Sequence, residues 1–275
     1  MTVDKIMKQV PNLFTLLNLF FGCIAIVFIM QNNSGIIAMD ETTGNSIVVF
    51  PERMAFGALF IFFAAAVDFF DGFFARMLKA STDKGKQLDS LSDVVSFGVA
   101  PGMILYQLLR LGYAEGTSGL ETSFALLLPA FIFTCAVAWR LAKFNVSTNQ
   151  SDSFIGVPSP AAGLVVASFP LIIWYEYFGL QHLFINQWLL YAVIFLLSFL
   201  MVCNRTFLAI KFKDFSIKNN LLKYILIILS VILIVWVQWF AIPVIFILYL
   251  VFSAFSKVPP PVVDRDNEKT LDITA

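Results

Sequence analysis

Charge is the scarcest commodity in this sequence. Asp, Glu, Lys and Arg together make up 13% of its 275 residues, against about 25% in an ordinary globular chain. The two signs balance at 18 each, so no net field draws the chain towards nucleic acid or another polyanion. Histidine occurs once, at His182 in an expected outer loop, and is assigned no chemistry. The three cysteines, Cys23, Cys135 and Cys203, lie far apart in apolar runs. Their spacing fits neither a disulfide framework nor a metal site, and they read as buried apolar residues. What fills the chain instead is apolar: 59% hydrophobic residues with 31 Phe, and a mean hydropathy of +0.85. Too little polar surface exists to cover so much apolar surface. That excludes a soluble enzyme, a nucleic-acid-binding module and a disordered regulator, and it points to lipid as the solvent.

A bilayer-spanning helix needs about 20 mostly apolar residues. Eight stretches qualify: Pro11–Met30, Met54–Leu78, Leu88–Leu109, Ser123–Phe144, Pro158–Phe178, Phe184–Met201, Leu221–Phe240 and Ala241–Phe255. The last two are nearly continuous. They are divided near Ala241-Ile242-Pro243, because together they overshoot one crossing and Pro disfavours a helix interior. The fold class expected is an all-α integral membrane protein of about eight transmembrane helices. Cationic residues set the orientation. With the N-terminus in the cytoplasm, sixteen Lys and Arg fall in inner segments, and only Arg53 and Arg110 fall outside. Asp40, Glu41, Glu52, Glu115, Glu121 and Glu176 collect on the outer side. Both termini are therefore expected in the cytoplasm. From Lys257 the chain carries three consecutive prolines and then alternating charges, the composition of a solvated extension.

Four carboxylates break the apolar pattern. Asp68 and Asp71 lie near the inner end of the second span, three apart; Asp89 and Asp93 open the third, four apart. Each spacing puts a pair on one helix face. The short connection between these helices makes them antiparallel neighbours, with both pairs at one depth. Charge within a membrane span is costly and marks function. Four clustered carboxylates repel, and some must protonate unless cations intervene. All-oxygen ligands suit Mg²⁺, Mn²⁺ or Ca²⁺, and two such ions balance four carboxylates. Between the pairs, Gly72 and Ala75 permit close approach to the backbone, and Arg76 offers a fork of donors for phosphate. Lys79, Lys84 and Lys86 add positive field, Thr82 a hydroxyl, and the third helix an N-terminus. Metal-holding carboxylates beside phosphate-holding cations suit phosphoryl transfer. Taken singly, Gly72 and Ala75 also suit helix packing, Asp89 and Asp93 a helix dipole, and the lysines a cytoplasmic loop.

The segment Asp68-x-x-Asp71-Gly72-x-x-Ala75-Arg76-x8-Gly85-x3-Asp89-x3-Asp93 resembles in full the signature of the CDP-alcohol phosphotransferase family. The resemblance implies a membrane enzyme that displaces CMP from a CDP-linked lipid or alcohol. It implies a core of six helices around a polar cavity open to the cytoplasm, with the seventh and eighth spans as additions. On that basis the chain divides into a catalytic membrane domain (1–205), a C-terminal transmembrane hairpin (206–256) and a flexible cytoplasmic tail (257–275). By resemblance Asp68, Asp71 and Asp89 hold two metals, and Asp93 is the general base and also reaches one metal. Gly72, Ala75, Arg76, Thr82 and Gly85 line the nucleotide and diphosphate site. A homodimer in a bacterial plasma membrane is implied on the same ground.

Three further stretches resemble the phosphatidylserine synthase branch: Val10–Asn18, Arg140–Asn145 and Phe154–Ala162. That branch transfers a phosphatidyl group from CDP-diacylglycerol to L-serine. Lys143 departs from it, standing where Arg is more usual, and so loses the bidentate fork. Serine brings a carboxylate for Arg140 and an ammonium for acceptors such as Asn145 or Ser159. Arg140 and Lys143 are equally suited to anchor the cytoplasmic interface. Asn12 and Thr15 either cap the first helix or touch the cytidine. Arg140 and Lys143 also suit a phosphorylated acceptor, glycerol 3-phosphate or an inositol phosphate, so the acceptor stays open. An ion-coupled transporter is the alternative of another class, but the sequence shows no internal repeat and its acidic cluster lies towards one membrane face.

Overall fold

The computed structural model describes residues 10–31, 37–39, 46–48, 50–78, 82–115, 122–146, 154–176, 179–208 and 217–255. Lys79 and the tail from 257 lie outside these residues, as do the N-terminal nine. Helices dominate. In chain order they are α1 (Val10–Met30), α2 (Glu52–Met77), α3 (Asp83–Asp93), α4 (Ala100–Glu115), α5 (Phe124–Leu127), α6 (Ala130–Val146), α7 (Ser159–Trp174), α8 (Gln181–Ile185), α9 (Gln187–Val202), α10 (Ile217–Val237) and α11 (Ala241–Phe255). Two small antiparallel ladders accompany them: β1 (Ile37–Met39) with β2 (Ser46–Val48), and β3 (Phe154–Ile155) with β4 (Thr206–Phe207).

Among the described residues, four helical stretches are long and apolar enough to cross a membrane: Pro11–Met30, Glu52–Met77, Asp83–Glu115 and Asn220–Ala254. Ser159–Trp174 and Gln187–Val202 are shorter apolar helices. The protein is an all-α, multi-pass membrane protein. Much apolar surface faces outward, including Leu13, Phe20, Phe63, Trp139, Trp188, Phe199, Val235 and Trp236. That distribution suits lipid and not water.

Several helix ends differ from the sequence expectation for local reasons. The third span starts at Asp83, not Leu88, because the Thr82 hydroxyl caps it by accepting from the Gly85 amide at 3.0 Å. The sixth breaks into α8 and α9 because the Asn186 side chain caps the second piece, accepting from the Trp188 and Leu189 amides. Between α10 and α11 the break falls at Gln238–Phe240, three residues before Ala241, with Gln238 at φ +47. Pro243 is accommodated in the first turn of α11, where no intrahelical donor is lost. The cysteines are a correction: Cys23 and Cys135 are exposed and Cys203 is half-buried. An apolar helix in lipid has no need to turn every apolar side chain inward.

The core is set by close helix contacts. Gly57 on α2 leaves no room for a side chain, since a Cβ there would lie 2.6 Å from Ile29 Cγ1 and 2.9 Å from the Ala25 carbonyl oxygen. Gly72, four turns along the same helix, would meet nothing within 4 Å. Substitution should therefore separate the two glycines. Gly57→Ala is expected to lower the unfolding midpoint in detergent, at a cost of about 1–3 kcal/mol from overpacking. Gly72→Ala should melt no lower than the parent, since Ala favours helix over Gly; thermal melts of both proteins check this.

Candidate active site

One end of the bundle holds a cavity of about 400 Å³. Its walls come from the start of α1, the C-terminal half of α2, α3, the end of α6 and the start of α7. Into it project all four signature carboxylates, with Gly72, Ala75, Thr82 and Gly85. The oxygens of Asp68, Asp89 and Asp93 come within 4.8 Å of one another. Asp71 is tied instead to α1, where the Thr15 hydroxyl donates to its Oδ2. Helical spacing thus brings both pairs to one place, and α1 supplies the third wall.

Hydroxyl groups set the depth of α3 against α1. Ser92 Oγ donates to the Thr15 carbonyl at 3.0 Å, and Ser96 Oγ to the Asn18 carbonyl at 3.1 Å. Immediately after Asp93 the helix widens into a π-helical segment, Val94–Val99. Such segments are frequent at functional sites. Gly98 lies within it, and a Cβ there would come within 3.1 Å of Val137 on α6.

Each sequence candidate has a definite place. Asn12 and Thr15 lie inside α1, which begins at Val10, so neither caps it, and both line the cavity. A Cβ on Gly85 would come within 3.1 Å of both Asn12 Oδ1 and Thr82 Oγ1, so this glycine keeps the two helices close. Arg140 is buried and lines the cavity, donating from Nη1 to the Ser159 hydroxyl at 2.9 Å. Asn145 also lines it, and donates to Ser90 Oγ at 2.9 Å. Ser159 stands behind Arg140 and does not line the cavity. Nor do Arg76 and Lys143. Arg76 is exposed, with its Nε turned back to the Gly72 carbonyl at 2.9 Å. Lys143 is exposed and donates to Asn204 Oδ1. His182 sits far along the chain from all of these and faces Glu115 at 3.3 Å.

Sequence reasoning missed Asn18 as a site residue. It is fully buried, and its Nδ2 donates to Asp93 Oδ1 at 3.3 Å. The signal was available: an amide three residues after Thr15 inside an apolar helix.

The four carboxylates have no Lys or Arg within ion-pair distance among the described residues. Hard, all-oxygen donors this close together fit a divalent cation. Asp68 and Asp89 would hold it, with Asp71 beside them and Asp93 within reach.

A family model described as CDP-alcohol phosphatidyltransferase matches residues 8–199, the stretch containing every wall of this cavity. The chain belongs to that family. Family members use divalent cations, and the acidic cluster provides ligands of the right kind. Among similar proteins, the CDP-diacylglycerol–serine O-phosphatidyltransferase of Bacillus subtilis is 32% identical over 186 residues, covering 66% of this chain and 89% of its own length. The enzyme of that name from Helicobacter pylori is 34% identical over 158 residues, 57% of this chain. The present chain spans about half of that relative, 54% of its length. The archaetidylserine synthase of Methanothermobacter thermautotrophicus is 36% identical over 93 residues, 34% of this chain and 35% of its own length. The protein is thus a membrane-embedded phosphotransferase.

The Thr15–Asp71 hydrogen bond gives a direct test. Partners behind metal ligands typically contribute about 10–100-fold in metal affinity. Thr15→Val should weaken Mn²⁺ binding within that range while leaving the unfolding midpoint of the metal-free protein near the parent's. Mn²⁺ titration followed by electron paramagnetic resonance reads the first quantity, and a thermal melt the second.

Proposed function

We propose that this protein transfers the phosphatidyl group of CDP-diacylglycerol to the hydroxyl of L-serine, giving phosphatidylserine and CMP. One observation carries the reading: the acidic cluster and a buried arginine, Arg140, face a single cavity. The first is suited to a diphosphate with its metals, and the second to the carboxylate of an amino-acid acceptor. The serine transferases among the similar proteins support the same acceptor.

The lipid donor approaches sideways from the inner leaflet, with its acyl tails in lipid and its diphosphate over Asp68, Asp71 and Asp89. Gly72 leaves the backbone open to it. Gly85, Thr82, Asn12 and Thr15 form the nucleotide end. Two cations, Mg²⁺, Mn²⁺ or Ca²⁺, when bound there, supply counter-charge to the diphosphate and the departing CMP. Arg76 reaches this charge only if its side chain leaves the Gly72 carbonyl. Arg140 holds the serine carboxylate, and Asn145 offers an acceptor to the ammonium. Lys143 and Ser159 act from outside the cavity wall, Ser159 by fixing Arg140.

Asp93 takes the proton of the serine hydroxyl. The freed oxygen forms a bond to the lipid-side phosphorus, and the bond from that phosphorus to the CMP oxygen breaks. CMP leaves with the electron pair. Asn18 holds one Asp93 oxygen, leaving the other to receive the proton. Positioning and charge stabilisation contribute most of the rate, and the general base about 10²–10⁴-fold. The cavity opens to the cytoplasm at the plasma membrane in this reading, which the cationic residues of the sequence around Arg76, Lys84 and Lys86 support. The protein acts as a homodimer.

Membranes supplied with CDP-diacylglycerol and Mg²⁺ or Mn²⁺ should release CMP when L-serine is added, and not with glycerol 3-phosphate or an inositol phosphate. Chelation should abolish release, and added divalent cation should restore it. CMP release driven by another alcohol alone sinks the serine assignment. Asp93→Asn should still bind the CDP-lipid but lose about 10²–10⁴-fold in turnover, measured as single-turnover CMP release. Asp68→Ala should lose metal-dependent CDP binding itself; undiminished binding in that variant rules out its ligand role.

A further inference from the structure

The family match ends at residue 199, yet α10 and α11 occupy 217–255. Nothing in the transfer chemistry requires them. Their contacts nevertheless lead to one residue of the cavity.

Tyr249 on α11 is buried and stacks on Phe207 of β4, with ring centroids 6.4 Å apart and planes 25° apart. One turn on, the Ser253 hydroxyl accepts from the Leu208 amide at 2.9 Å. Tyr249 thus grips β4 itself, and Ser253 the residue that follows it. In turn β4 pairs with β3, Phe207 opposite Phe154 and Thr206 opposite Ile155. The strand β3 runs straight into Gly156, whose amide donates to the Arg205 carbonyl, and Val157, whose amide donates to the Leu200 carbonyl, both at 3.0 Å. Gly156 adopts φ +74, and a Cβ there would lie 2.3 Å from the Met201 carbonyl oxygen. Three residues after Gly156, Ser159 receives Arg140 Nη1. The Tyr249 phenol also lies within electrostatic range of the Arg140 guanidinium. Arg140 needs such support. It is 8% exposed, and its Nε has no hydrogen-bond partner among the described residues. A buried guanidinium with one fixed donor swings unless its surroundings hold it.

We propose that the two C-terminal helices brace the acceptor end of the cavity, with Tyr249 and Ser253 as positioning residues that fix Arg140 through β4, β3 and Ser159. The proposal rests on the reading of Arg140 as the acceptor-carboxylate residue. It assigns a role in substrate recognition to a part of the chain outside the family match, and no role in the chemical step.

The test uses the full-length protein in detergent with two readouts. Tyr249→Leu should raise KM for serine about tenfold, with kcat and KM for CDP-diacylglycerol changed by less than about twofold. Tyr249→Phe keeps the ring stacked on Phe207 and loses only the phenol's reach to Arg140, so it should bring the serine KM most of the way back. Ser253→Ala should raise it in the same direction by less. Independently of any acceptor, the Gly156 and Val157 amides should exchange hydrogen about tenfold faster in Tyr249→Leu, while amides around Asp68–Gly72 keep their rates. Unchanged exchange at Gly156 and Val157 overturns the brace. So does a fall in kcat with the serine KM unmoved, since loss of active protein would produce that. If the parent protein uses no serine but the exchange shift is present, the brace stands and the serine reading fails.

Discussion

Three carboxylates within 4.8 Å of one another, in a chain with so few charges, form the constraint around which the rest is arranged. Left bare, they repel, and a low-dielectric setting strengthens that repulsion. The fold accepts this cost by holding two helices rigidly side by side. It spends small residues and hydroxyl groups to do so. Gly57 allows α1 and α2 to meet, Gly85 allows α3 to meet α1, and the Ser92 and Ser96 hydroxyls fix α3 on the α1 backbone. Each contact lies beside the acidic cluster or on the helices that carry it. The bundle therefore serves less to bury apolar surface than to keep charge where charge would not settle unaided.

The helices beyond this centre have a different task. α6 and the start of α7 bring a cation, Arg140, to the same cavity, and Ser159 holds it. Carboxylates and a buried guanidinium thus share one cavity. That economy suits a site built in lipid, where every additional polar group must find a partner.

Much of this was legible in the sequence. Composition specified the solvent, and the three- and four-residue spacings of the Asp pairs specified one shared site. Glycines and alanine at fixed offsets marked residues that line the cavity. Other features were hidden for identifiable reasons. The direction taken by Arg76 was one: a long side chain at a helix end has a carbonyl of its own helix within reach, and no spacing rule says whether it chooses that or a phosphate. The cysteines were another, because hydropathy does not distinguish a side chain facing lipid from one facing protein. Asn18 was passed over since a lone amide in an apolar helix carries meaning only when the residue opposite it, Asp93, is known. Helix ends at Thr82 and Asn186 depended on side-chain caps that hydropathy averages away.

The widened turn at Val94–Val99 sets apart the two halves of one long helix, Asp83 to Glu115. A π-helical turn holds an additional residue relative to regular pitch, so the halves are offset by about 100° from where an unbroken α-helix would put them. The faces presented by Asp89 and Asp93 on one side and by the Ala100–Glu115 helix on the other are thereby decoupled. Loss of one residue there would regularise the coil and rotate one half against its neighbours, turning either the acidic pair or the apolar packing face the wrong way. Length, more than side-chain identity, is what that turn must preserve, and indels should be purged from it more stringently than point changes.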